Sequence, residues 1–299
     1  MPDSIMKKIL TFAILFLSAL SNANAQDSTP FPYPEIPDSL TTLQQRTDYL
    51  IMNFWKGADM KKVLNDTTML NKAFADYTSF MPYASPDSVK KSINTLLAPY
   101  KNDAKSILKL VRRAEKEMYG PDPSIIANEP YLIFTKAVFT NKKINQKEKE
   151  KYLSHVKMIN SSQVGASILP LRYTTRYNAV HEAQEQPGEY KILYFYLPDD
   201  PDVAMNHLRL KADAALGSLS KAGTVKIIDI MVGKPSDEWK ASVSDFPYEW
   251  EAGVAENAGE TIDLRMLPAI YLLDKDNKVI ARNMSIDSIL QIAKALYQK

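Results

Sequence analysis

Three aspartates gather in one short segment, Asp199-Asp200-Pro201-Asp202, directly after an apolar run over residues 190–197. Carboxylates so placed have two uses. At a helix N-terminus they accept hydrogen bonds from free amides and meet the positive end of the helix dipole. Gathered around a cation, they supply hard oxygen ligands for calcium or magnesium. Asp200 suits the N-cap, Pro201 the first helical position and Asp202 the first turn. The alternating ligands and central glycine of a calcium loop are missing, so capping is the expected role and no metal is assigned. The chain has no cysteine, which removes disulfides, thiolate metal ligands and cysteine nucleophiles together. Its three histidines, His155, His181 and His207, are widely scattered and read as packing or surface residues. His181-Glu182 lacks the second histidine of a zinc-protease helix, and Gly165-Ala166-Ser167 lacks the closing glycine of a hydrolase elbow. No two carboxylates are marked as partners for glycoside cleavage. Trp55, Trp239 and Trp250 are expected in core or interface packing. No catalytic residue and no cofactor is assigned.

These groups depend on elements of two kinds. Over residues 39–160 the apolar spacing is helical. Leu40, Leu43, Thr47, Leu50, Ile51 and Phe54 recur every three to four residues and Gly57 follows as a stop. Asp87 and Asp103 each precede a further periodic stretch and are expected to be N-caps. Pro30, Pro32, Pro34 and Pro37 space out an extended leader over residues 26–38. Residues 142–151 form a charged helix surface. From residue 161 to 299 the texture changes. Runs at 190–197, 225–232 and 269–273 are short and apolar, as buried strands are. A helical stretch over 202–221 joins the first two runs, which predicts a βαβ unit with parallel pairing. Residues 272–280 read as a hairpin with Asn277 in left-handed geometry, and Ser285 is expected to cap a last helix. The fold class is therefore a helical N-terminal domain followed by an α/β domain with a central mixed sheet.

Two segments of the second half resemble a thioredoxin-like domain of the exported, TlpA-like kind. Phe195-Tyr196-Leu197-Pro198-Asp199-Asp200-Pro201-Asp202-Val203 is similar to the family's strand end, where two cysteines open the next helix. Asp200 and Val203 occupy those positions. Met266-Leu267-Pro268-Ala269-Ile270 resembles the segment whose proline is cis and faces the redox site. The resemblance thus implies a thioredoxin-like frame with a cis bond at Pro268. Thiol–disulfide exchange requires a thiolate nucleophile and a resolving thiol, and Asp200 and Val203 provide neither. The helical half, with Arg46, Asp48-Tyr49-Leu50 and Phe54-Trp55, resembles an uncharacterised domain found ahead of such domains.

Charge and length narrow the rest. The 299 residues carry a net charge of +2, which argues against a nucleic-acid partner. Nine glycines form no phosphate-binding loop. Residues 26–165 hold 20 basic and 15 acidic side chains, and residues 166–299 hold 15 and 19, so the halves differ in sign. Met6-Lys7-Lys8, an apolar run over 9–20 and Ala23-Asn24-Ala25 form a cleavable export signal. The run is too short to span a bilayer, so the expected product is periplasmic or secreted, cut near Ala25, with no stable membrane insertion. The leading expectation is a redox-inactive module that binds an exported protein or peptide. Tyr196, Pro198, Asp200, Asp202, Val203, Leu267 and Pro268 would form the rim of its groove. A carboxylate-based enzyme and a purely interdomain or oligomeric module stay open beside it.

Overall fold

The computed structural model describes residues 31–120 and 123–298. The export signal expected over residues 1–25 lies outside the described residues. In the helical half, local chemistry sets where each helix begins. Helix α1 (Leu43–Asn53) opens on a capping box in which Thr42 and Gln45 satisfy each other's backbone amides. Asp59 caps α2 (Met60–Asn65) and Asp66 caps α3 (Thr67–Ser79). Asp103 caps α5 (Ala104–Met118), as its position in the sequence implies. For α4 (Pro86–Leu97) the expected cap, Asp87, is displaced into the first turn and Ser85 takes its place. The reason is Pro86: it has no N–H and fits the first helical position, so the cap must precede it. Helices α6 (Asn128–Thr140) and α7 (Gln146–Ser161) complete this half.

Their core is aromatic: Phe54, Phe74, Tyr77, Tyr131 and Phe134 are fully buried. The leader contributes to it. Phe31 stacks on Phe54 with ring centroids 5.1 Å apart and meets Trp55 edge-on at 5.6 Å. The prolines therefore lead a chain that is pinned to the core rather than a free spacer.

The second half is a seven-stranded mixed sheet in the order β2-β1-β5-β4-β3-β6-β7. The strands are β1 (Arg172–Thr175), β2 (Val180–Glu182), β3 (Tyr190–Tyr196), β4 (Val225–Met231), β5 (Glu251–Val254), β6 (Ala269–Asp274) and β7 (Val279–Arg282). β3 pairs parallel with β4 and antiparallel with β6. The expected 202–221 helix is in fact two, α8 (Val203–Ala212) and α9 (Ala214–Lys221). Asp213 breaks the run by leaving helical geometry and accepting a hydrogen bond from the Leu216 amide at 2.8 Å. Helix α10 (Asp237–Ser242) follows β4, and α11 (Ile286–Tyr297) ends the chain under a Ser285 cap.

Alternation along β3 divides the core in two. Ile192, Tyr194 and Tyr196 join the apolar cluster that also holds Leu210, Leu216 and Ile289, while Leu193 and Phe195 enter the opposite cluster with Tyr271 and Ile228. Asn277 adopts φ 61°, and the β6–β7 hairpin closes around it. The connection from α7 runs along the outer edge of β7. The Gly165 amide donates to the Val279 carbonyl and the Val279 amide to that of Ala166, each at 2.8 Å.

Candidate functional site

Strand β3 delivers the acidic turn, and the chain before β6 delivers the proline loop. Tyr196 ends β3, and Leu197, Pro198 and Asp199 emerge exposed. Asp200 is half-buried. Its Oδ1 accepts from the Asp202 amide at 2.9 Å, and its carbonyl accepts from the Val203 amide at 3.3 Å. Helix α8 thus begins at Val203, later than expected. Asp200 closes the turn ahead of the helix rather than capping the helix itself. Asp202 occupies the cap position with no side-chain cap bond.

The Leu267–Pro268 peptide is cis, and Pro268 is exposed beside α8. Among the described residues, neither the amide nor the carbonyl of Leu267 has an intramolecular hydrogen-bond partner. The next residue, Pro268, lines a cleft of about 240 Å³ together with Tyr194, Ile270, Met284 and Ile286. Asn206, in the first turn of α8, donates its side-chain amide to the Tyr194 hydroxyl at 3.2 Å. Arg209 and Asp287 pair at one side of the cleft. Burial lifts the Tyr194 hydroxyl to about 12; Asn206 opposes the rise, and the carboxylates of Asp229, Asp200 and Asp202 add to it. Exposed apolar side chains surround this region of the chain: Leu197 after β3, Met205 and Leu208 on α8, and Met266 in the proline loop.

The floor beneath is polar as well as aromatic. His207 Nε2 lies 2.7 Å from Asp229 Oδ2, with both side chains buried. Trp239 Nε1 donates to the Tyr196 hydroxyl at 3.3 Å, and the Tyr196 ring meets His207 edge-on at 5.1 Å. Among the described residues, Asp229 Oδ1 finds no hydrogen-bond donor. Tyr196 is therefore a support under the turn rather than a rim residue, since it faces inward with its neighbour-but-one Tyr194. The structure brings Pro268 into one cleft with Asn206 and Arg209 of α8, and none of Pro198, Asp200, Asp202 and Val203 lines that cleft. Tyr194, Asn206 and Met284 were not singled out in the sequence. The period-two alternation of β3 placed Tyr194 on the same face as Tyr196, but no local pattern marks Asn206 or Met284. Trp55, Trp239 and Trp250 are buried, as expected for packing residues. A wider depression of about 470 Å³ lies over Asp87, Lys91 and Asn94 on the outer face of α4. It is shallow and holds no converging reactive groups. Among the described residues no three histidine or acidic side chains gather to hold a metal ion.

A family model described as a domain of unknown function, DUF5106, matches residues 17–162. Among solved structures, a thioredoxin-like protein from Bacteroides caccae is similar over 90% of this chain and 99% of its own, at 19% identity and a TM-score of 0.60. The C-terminal domain of an uncharacterized protein from Bacteroides fragilis is 26% identical over 45% of this chain and 99% of its own, with a TM-score of 0.41. A thiol:disulfide interchange protein from Bacteroides sp. is 12% identical over 46% of this chain and 93% of its own, with a TM-score of 0.40. No curated protein matches. The chain thus has a thioredoxin-like fold and no cysteine, and its residues 17–162 are similar to the DUF5106 domain.

Proposed function

We propose that this cysteine-free thioredoxin-like chain is an exported, redox-inactive binding protein that takes an extended protein segment along the Leu267–Pro268 loop. The observation that carries the reading is the unpartnered backbone of Leu267 beside an open cleft. An unpaired amide and carbonyl on one residue can pair with an extended chain as a strand does, and the neighbouring cleft can take one of its side chains. Exchange chemistry has no reagent here, because the chain has no thiol. Asp199, Asp200 and Asp202 give the surroundings negative charge while Arg209 balances Asp287, so a segment with apolar and basic side chains suits it best. Residues 6–25 support the export reading by composition and spacing. No helix among the described residues is long and apolar enough to cross a membrane.

The test is a titration of alkylated, permanently unfolded lysozyme, a basic probe, followed by fluorescence anisotropy. Met284→Asp, which puts a charge into the cleft, and Asn206→Ala should each weaken binding by about tenfold, on the scale of one lost buried contact. A wild-type protein that leaves the probe free, or variants that bind as well as wild type, would remove the proposal.

A further inference from the structure

The proline loop is held from an unexpected side. Two residues ahead of Leu267, Arg265 is buried between the two halves of the molecule, with its side chain only 8% exposed. Its Nε donates to Asp263 Oδ1 at 2.8 Å and its Nη2 to Asp263 Oδ2 at 2.7 Å, a bidentate pair within the loop. The remaining contacts cross to the helical half. Nη1 donates to the carbonyl of Met118, the last residue of α5, at 3.1 Å. Nη2 also donates to Asn128 Oδ1 at the start of α6. The guanidinium lies 4.9 Å from the centre of the Tyr119 ring.

Asp263 is fixed in the same way. Its amide donates to Ser162 Oγ at 2.9 Å, just past α7, and its carbonyl accepts from the Tyr271 hydroxyl at 2.7 Å. Arg282 approaches Asp263 Oδ2 at 3.5 Å while donating to the Ser162 carbonyl at 3.1 Å. A helix C-terminus leaves carbonyls without intrahelical partners, and Arg265 satisfies the one at Met118. Only a planar fork reaches Asp263, Met118 and Asn128 together, which a lysine ammonium cannot do.

We propose that the helical half shapes the binding loop, with Arg265 as a positioning residue through which α5 and α6 hold residues 263–268 in the form that presents Leu267. The inference rests on the binding reading for its affinity readout only; its structural readout is independent. It assigns the helical half a task in the same site, without contact to the ligand.

The experiment uses the full chain and hydrogen exchange, with the amides of β3 and β4 as an internal reference. Arg265→Met should speed exchange over residues 262–265, where the amides of Ile262, Asp263 and Arg265 are hydrogen-bonded, by about tenfold and weaken binding of alkylated lysozyme by a similar factor, the scale of a lost buried charged hydrogen bond. The reference strands should not change. Asn128→Leu should act in the same direction, and it stands in for Arg265→Met if that variant fails to fold. Asn128→Asp, which keeps an acceptor for the guanidinium, should behave as wild type. Unchanged exchange in both Arg265→Met and Asn128→Leu would overturn the clamp. Faster exchange with unchanged affinity would overturn the positioning role. If wild type does not bind the probe while exchange responds as described, the binding reading falls and the clamp stands.

Discussion

Asp200 and Val203 sit one turn apart, joined by the hydrogen bond from the Val203 amide to the Asp200 carbonyl. Side chains three residues apart on such a turn lie about 5–6 Å apart at Cβ, and a small rotation brings two sulfurs within bonding range. Asp200→Cys combined with Val203→Cys should therefore form an intramolecular disulfide under mild oxidation. Thiol titration before and after oxidation, with a gel to separate monomers from dimers, reads the result. A pair that stays reduced, or that links only separate molecules, would show that the turn is placed wrongly. At this scale the sequence exposed residue types better than residue orientation. The acidic turn was visible because aspartate and proline have strong local preferences, whereas Pro268 was marked by the resemblance of its segment to the thioredoxin-like proline loop. That Tyr196 faces inward became clear only from the strand's pairing, since both faces of a central strand are apolar and its hydropathy carries no alternation.

Element boundaries follow from competition between neighbouring residues. Spacing over Ala204, Leu208, Ala212, Ala215 and Leu219 continues across residue 213, so periodicity alone reads one helix. Asp213 breaks it because its carboxylate can satisfy the Leu216 amide better than a helical carbonyl arrangement would. A mid-helix aspartate carried that signal, although the apolar pattern outweighed it. The same competition moved a cap from Asp87 to Ser85, where proline chemistry decided the matter. The strand runs and the Asn277 hairpin were legible because turn chemistry and burial agreed there. Asp213→Ala should cost about 1 kcal/mol, the usual value of a lost N-cap, in urea unfolding. A loss below a few tenths would mean that α9 is held by packing on α11 and β4 alone.

At the scale of the molecule, the fold class could be read in advance, but the joint between the halves could not. Asp263, Arg265, Ser162, Met118 and Asn128 are distant in sequence and meet only when both halves are folded. No spacing rule links them. The joint has a consequence for acid stability. Burial pushes the Asp263 carboxyl up, but hydrogen bonds and charge from Arg265, with a further charge from Arg282, outweigh it and hold the group below its usual range. A carboxyl depressed in the folded state adds stability that is complete above its unfolded value and is lost as pH falls through the folded one. Unfolding midpoints of the wild type should therefore drop as pH falls below about 4, where a free aspartate begins to take up protons. Asp263→Asn should start lower and lose less over the same window. Parallel curves for the two proteins would place the acid sensitivity elsewhere.

The segment that lies along β7 also governs how copies of this protein can meet. Gly165 and Ala166 occupy the amide and carbonyl of Val279 at that border of the sheet, whereas β2 ends the opposite border. Growth of a continuous ribbon needs two bare borders per molecule, because each newcomer must leave one for the next. Here the lateral joining of sheets is hindered at one border: a newcomer approaching β7 meets the 165–166 segment at Val279, whereas one approaching β2 meets no such strand.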